Sequence, residues 1–192
     1  ILFQMPYIHN FSPDAISIGS IHIKWYGISY VLALIFTWLG LRRYVKRDYP
    51  QIPMEKLDDL SSWLVAGLLV GGRLGYALFY EPSMFLTPIE LLKVWQGGMS
   101  FHGAVLGIAL CGIYACKRIG YSVRYIADKL GIFAPLGIFL GRLANFINSE
   151  HYGYPTDVPW AVVFPLVDQQ PRHPSQLYEA LLEGLVLGAL MA

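Results

Sequence analysis

A chain of 192 residues with 55% hydrophobic and only 14% charged residues cannot clothe a soluble domain, since about a quarter of an ordinary soluble sequence is charged. The formal net charge of +1 excludes bulk attraction to nucleic acid or to a strongly acidic partner as a basis for function. With 19 Gly, 12 Pro and 15% aromatic residues, the composition suits helices in lipid, and an integral membrane protein is expected.

In chain order, the first 24 residues read as a leader whose one cation is Lys24. Trp25 to Leu41 is uncharged, stops at Arg42-Arg43 and predicts a first span. It lacks a basic region in front and has a basic cluster behind, the reverse of a cleaved signal peptide. Leu60 to Tyr80 is apolar apart from Arg73. Val94 to Cys116 carries no formal charge but contains His102, near which its lipid-facing part is expected to begin. Leu130 to Phe146 is interrupted only by Arg142. A fifth apolar run starts near Leu177, and from Ala180 it offers thirteen residues against the roughly 20 that a span needs. This last helix is expected to be incomplete, and the natural protein longer. The predicted fold is an all-α polytopic helix bundle with three parts. Residues 1–146 hold the leader and four complete spans, 147–176 form a small extramembrane head, and 177–192 begin a fifth span.

Nine of the fourteen Lys and Arg residues fall in two alternate connections. Arg42, Arg43, Lys46, Arg47 and Lys56 follow the first span; Lys117, Arg118, Arg124 and Lys129 follow the third. The positive-inside rule assigns both connections to the cytoplasm and places the N-terminus and the 147–176 segment outside.

Ionisable side chains at membrane depth cost at least a few kcal/mol and are functional candidates by default. Arg73, His102 and Arg142 qualify, and in this topology all three lie near the outward ends of their spans, as does Tyr26 at the start of the first. Each also has a structural reading: Arg73 held by backbone carbonyls, His102 hydrogen-bonded at the interface, Arg142 snorkelling to headgroups. Around Arg142 the run Gly141-Arg142-Leu143-Ala144-Asn145-Phe146-Ile147-Asn148-Ser149-Glu150-His151-Tyr152-Gly153 clusters a cation, two amides and a carboxylate at a helix end. An arginine fork fits a pair of phosphate oxygens, and phospholipids are the abundant phosphates of an outer leaflet, so a site for a lipid headgroup is expected. Cys111 and Cys116, five apart on different helix faces, read as packing residues, and no His or Cys spacing calls for a metal.

The same run resembles the signature of bacterial prolipoprotein diacylglyceryl transferases, G-R-x-x-N-F-x-N-x-E-x-x-G, and matches all seven fixed positions. Four further blocks are similar to this family in the same order: Trp25-Tyr26-Gly27, Gly71-Gly72-Arg73-Leu74-Gly75-Tyr76, Gly97-Gly98-Met99-Ser100-Phe101-His102-Gly103, and Arg172-His173-Pro174-Ser175-Gln176-Leu177-Tyr178-Glu179. The resemblance implies seven transmembrane helices with a small periplasmic head, in the bacterial inner membrane. It implies transfer of a diacylglyceryl group from phosphatidylglycerol to the lipobox cysteine thiol of a prolipoprotein signal peptide, with release of glycerol phosphate and no cofactor. In that reaction His102 would take the thiol proton or orient the thiol, and Arg142 would neutralise the leaving phosphate. Asn145 and Glu150 would position headgroup or arginine, Arg73 would be a second cation, Tyr26 would line the site, and Gly153 would meet a backbone requirement. The family continues through further helices that supply another arginine and an acidic residue.

Two rival classes are weighed on the residues. An intramembrane serine protease would use Ser100 and His102, but residues two apart on a helix do not face each other. A transporter would place polar groups at the midplane of broken, repeated helices, and no repeat is visible.

Overall fold

The computed structural model describes residues 6–19, 21–94 and 97–191. Its long helices are Trp25–Asp48 (α1), Met54–Phe79 (α2), Phe101–Ile119 (α4) and Val123–Ile147 (α5), with the short helix Pro88–Leu92 (α3) between α2 and α4. All four long helices are long and apolar enough to cross a membrane, and the mostly helical chain fits a polytopic membrane protein. Three of them extend beyond the apolar runs that predict them. Charge ends burial in lipid, not backbone hydrogen bonding, so α1 continues through Arg42–Asp48 with Lys46 and Arg47 beside its terminal carbonyls. In the same way α2 begins six residues before Leu60 and α5 seven before Leu130. The third helix is shorter than its apolar run. Gly97 and Gly98, at φ 87° and 72°, hold the chain out of helical geometry until Ser100 caps α4.

The fifth apolar run is helical from Ser175 to Met191, as α6 (Ser175–Glu179), a π-helical segment (Ala180–Val186) and α7 (Leu187–Met191). The all-α expectation needs one correction, because the chain also carries two small sheets. The leader forms a hairpin of β2 (Asp14–Ile18) and β3 (Ile21–Lys24), with Gly19 at φ 59° in its turn. β1 (Tyr7–Ile8) pairs parallel with β4 (Val162–Val163), which pairs antiparallel with β5 (Pro171–Arg172). Strands of two residues are too short to show a hydrophobic period.

The chain groups into two compact units, Ile1–Gly40 with Leu130–Ala192, and Leu41–Lys129. In the second unit α2 and α4 meet along glycines. A Cβ on Gly71 would run into the carbonyl of Gly103, and one on Gly107 into the carbonyl of Gly67. This is the small-residue packing that lets helices associate without a hydrophobic driving force between them. The nine cations of the two basic connections all belong to this unit, beside a tyrosine cluster. There Tyr125 Oη donates to Asp48 at 2.8 Å, and Lys129 Nζ lies 4.5 Å above the Tyr44 ring.

In the first unit α5 packs on the last helix, with Gly184 against Phe139 and Gly188 against Pro135, a proline inside α5. The residues after α5 build on β4, where Val162, Val163 and Phe164 are buried. Arg172 ties this part together: Nε donates to Asp168 at 3.2 Å, Nη1 to the Gly153 carbonyl at 3.2 Å, and the guanidinium stacks on Tyr152. The Arg172 guanidinium holds the Asp168 carboxyl below the usual carboxylate range.

Candidate active site

The signature run folds into the C-terminal end of α5 and a compact turn after it. Asn148 N–H reaches Ala144 O at 2.9 Å and Glu150 N–H reaches Asn145 O at 2.9 Å, so the helix closes on its own last carbonyls. Asn145 is buried and donates through Nδ2 to Glu150 Oε2 at 3.0 Å, joining two of the expected site residues. Asn148 Nδ2 approaches the other Glu150 oxygen at 3.5 Å. The Glu150 carbonyl in turn accepts from Gln176 Nε2 at 2.6 Å, and Gln176 is fully buried. Gly153 donates its N–H to His173 O at 2.9 Å, and a Cβ there would press on His173 and Ser175. Two sequence blocks, 141–153 and 172–179, are thereby knitted into one structure.

Arg142 leaves α5 toward the last helix. Its Nη2 ion-pairs with Glu179 and lies 3.8 Å from Glu183. Those carboxylates are four residues apart where α6 passes into the π-helical segment, a local widening frequent at functional sites. The guanidinium side chain keeps 29% of its surface exposed. A fork braced on one edge by a carboxylate and partly open presents its N–H groups in a set orientation. Tyr26, in the same unit, starts α1, and the Tyr30 hydroxyl donates to the Tyr26 hydroxyl at 3.3 Å.

His9 is a residue that sequence reading passes over. It is 2% exposed, its N–H bonds to Val163 O at 2.9 Å, and its ring is enclosed by Phe11, Phe146 and Phe164. Nδ1 pairs with Ser149 Oγ at 3.2 Å, and Nε2 is buried with no protein partner. Ser149 itself takes the left-handed conformation at φ 58°, so the contact steadies a strained position between Asn148 and Glu150. Burial lowers the His9 pKa, with the Phe146 carbonyl and its own carbonyl partly opposing the shift. A histidine kept neutral in the fold binds fewer protons than the unfolded chain below the ordinary value of about 6.5. Its stabilising contribution is therefore present above that pH and is lost as the pH falls. The thermal midpoint is expected to drop between about pH 7.5 and about pH 5.5, and His9→Gln should flatten that limb; parallel curves for the two proteins would refute the assignment.

His102 and Arg73 belong to the other unit. His102 is exposed at the second position of α4, beside a cleft of about 400 Å³ lined by Phe79, Tyr80, Ser100 and His102. Ser100 is buried, donates its N–H to Gly72 O at 2.8 Å, and accepts the Gly103 N–H on Oγ at 3.2 Å. Its hydroxyl is a helix cap, which removes the observation behind the protease reading. Arg73 is buried, and its N–H donors run to backbone carbonyls, the structural alternative weighed on the sequence. A phosphate reaching this fork directly would have to displace those carbonyls.

Sequence reading also assigns no role to Gln176, Glu179 or Glu183. Two carboxylates four residues apart at the start of an apolar run are a legible signal, since they share a helix face. Ser149 and His9 carry none, being joined only by the tertiary fold.

Comparison with known proteins matches the sequence to a family. The family model described as prolipoprotein diacylglyceryl transferase matches residues 13–192. A phosphatidylglycerol–prolipoprotein diacylglyceryl transferase of Nitrosomonas europaea is 48% identical over 183 residues, covering 94% of this chain and 66% of the relative. Relatives of the same name from Rickettsia canadensis and Rickettsia akari are 43% and 42% identical over 184 residues, covering 95% of this chain and 71% of each relative. The chain thus spans about two thirds of the length of the curated relatives it matches. A match across nearly the whole chain, together with a signature that folds as one hydrogen-bonded turn, has one reading: this chain belongs to the prolipoprotein diacylglyceryl transferase family.

Proposed function

We propose that the protein transfers the diacylglyceryl group of phosphatidylglycerol to the lipobox cysteine thiol of prolipoproteins. The product is a thioether and the leaving group is glycerol phosphate. The reaction is placed in the bacterial inner membrane with the reacting groups toward the periplasm, in a seven-helix protein whose 147–176 segment is the periplasmic head. The observation that carries this reading is the Asn145–Glu150 hydrogen bond at the end of the helix that bears the partly open Arg142 guanidinium, in a chain whose relatives bear the name of this activity.

The chemistry asks for two services. The substrate thiol must lose its proton so that sulfur can attack the glyceryl carbon. His102, exposed at the start of α4, is the proposed acceptor of that proton. As the carbon–sulfur bond forms, the carbon–oxygen bond to phosphate breaks and its electron pair stays on the phosphate oxygen. A phosphodiester monoanion becomes a monoester dianion, and the proposed role of Arg142 is to stabilise that added charge. A cation whose attraction grows along the reaction favours the transition state over the bound substrate. Asn145 and Glu150 hold the turn after α5 in shape, Gly153 allows its close packing, and Tyr26 lines the lipid-headgroup side. No cofactor takes part.

The test is mass spectrometry of a lipobox peptide incubated with the full-length protein in vesicles containing phosphatidylglycerol. The peptide should gain one diacylglyceryl group with release of one glycerol phosphate, and a peptide with Ser in place of the lipobox Cys should stay unmodified. A cysteine peptide whose mass never changes in a folded, full-length preparation refutes the reading.

A further inference from the structure

Arg73 is 6% exposed on α2, inside the run Gly71-Gly72-Arg73-Leu74-Gly75. A guanidinium carries five N–H groups, and here all five meet backbone carbonyls at the end of α3 and just ahead of α4. Nε donates to Leu91 O at 3.2 Å; Nη2 donates to Glu90 O at 2.6 Å and to Lys93 O at 3.2 Å. Nη1 donates to Gly97 O and, at 3.0 Å, to Gly98 O. Glu90 and Leu91 lie in the last turn of α3 and Lys93 caps it; Glu90 O also accepts the Lys93 N–H at 3.2 Å. The last two carbonyls belong to glycines in the left-handed conformation, just ahead of the Ser100 cap and His102.

We propose that Arg73 is a positioning residue for His102: its five bonds tie residues 90–93 and 97–98 to α2 ahead of α4, and with them the place of the imidazole at the first turn of that helix. Three independent ties enter the same segment. Arg73 grips it from Glu90 to Gly98, Gly72 O takes the Ser100 N–H, and Gly75 lies so close to Ser100 and Gly103 that a Cβ would crowd both. Only a planar fork with five divergent donors can satisfy carbonyls spread over nine residues. A lysine keeps the charge but concentrates three donors on one atom, and a glutamine offers two.

This proposal rests on the transferase reading, and its test is built to separate the two. The full-length protein, Arg73→Lys, Arg73→Gln and Gly98→Ala are compared in phosphatidylglycerol vesicles with a lipobox peptide. Gly98→Ala disturbs the same clamp from the loop side without changing charge, since its Cβ would sit 2.8 Å from Arg73 Nη1 at a φ of 72°. Activity is read as kcat and as KM for phosphatidylglycerol. The reactivity of His102 toward diethylpyrocarbonate is read by mass spectrometry and needs no turnover. Arg73→Lys and Arg73→Gln are expected to lose roughly tenfold or more in kcat alike, with KM within about twofold, and to change the His102 reaction rate by at least about threefold. Gly98→Ala should move both readouts in the same direction, and it decides the matter alone if the Arg73 variants do not fold.

Near-normal kcat in Arg73→Lys beside a raised KM in Arg73→Gln would make Arg73 a phosphate ligand and overturn the proposal. Lost activity with an unchanged His102 reaction rate in the folded variants would reduce it to support of the fold, which also overturns it. A wild-type protein that transfers nothing while His102 still responds to the clamp refutes the transferase reading and leaves the positioning intact.

Discussion

Replacing Arg142 by alanine is expected to lower diacylglyceryl transfer by a factor of about 10²–10³, roughly 3–4 kcal/mol of transition-state stabilisation, while the protein stays folded. The loss should fall mainly on kcat, because the charge that Arg142 meets is largest on the departing phosphate and smaller on the bound lipid. The fold should survive because the guanidinium keeps 29% of its surface exposed and alanine is a good helix former at this position of α5. Arg142→Lys restores the charge but not the fork, and should recover only part of the lost rate. Rates from the peptide mass assay, beside a thermal midpoint for each variant, check this. Transfer within about tenfold of wild type in folded Arg142→Ala would remove the arginine from the chemistry.

The second large effect is structural. Gly107→Val should destabilise the helix pair by about 3 kcal/mol, at the upper end of what overpacking costs, because its Cβ would overlap the Gly67 carbonyl and neither backbone can retreat. Neighbouring Leu106, 61% exposed on the outer face of α4, provides the control: Leu106→Ala should change stability by less than about 0.5 kcal/mol. Thermal unfolding in detergent micelles or vesicles reads both. Equal midpoints for Gly107→Val and wild type would show that α2 and α4 do not depend on this seam.

Much of the architecture was legible because lipid imposes a simple rule: spans must be apolar, and every cation inside one stands out. The apolar runs therefore locate all four long helices, and the run around Arg142 locates a polar cluster at a helix end. Helix ends were less legible, since α1, α2 and α5 run past their apolar stretches on residues that hold a helix as well in water as in lipid. The left-handed angles of Gly97 and Gly98 that delay α4 until Phe101 were not legible. The three-stranded sheet escaped because its strands are two residues long and Tyr7 takes its partner, Val162, from a distant segment.

The sequence by itself determined that this is a helical membrane protein of the diacylglyceryl transferase family, because apolar length, charge placement and a thirteen-residue signature are all local patterns. Only the tertiary structure distinguished its two intramembrane arginines. Arg73 and Arg142 each interrupt an otherwise uncharged apolar run next to a glycine, and neither run shows which groups its guanidinium meets. One faces a returning loop whose carbonyls take up all five of its donors; the other faces carboxylates contributed some forty residues later and stays partly open. The partner of a guanidinium depends on what the chain brings back to it, and that is decided by packing.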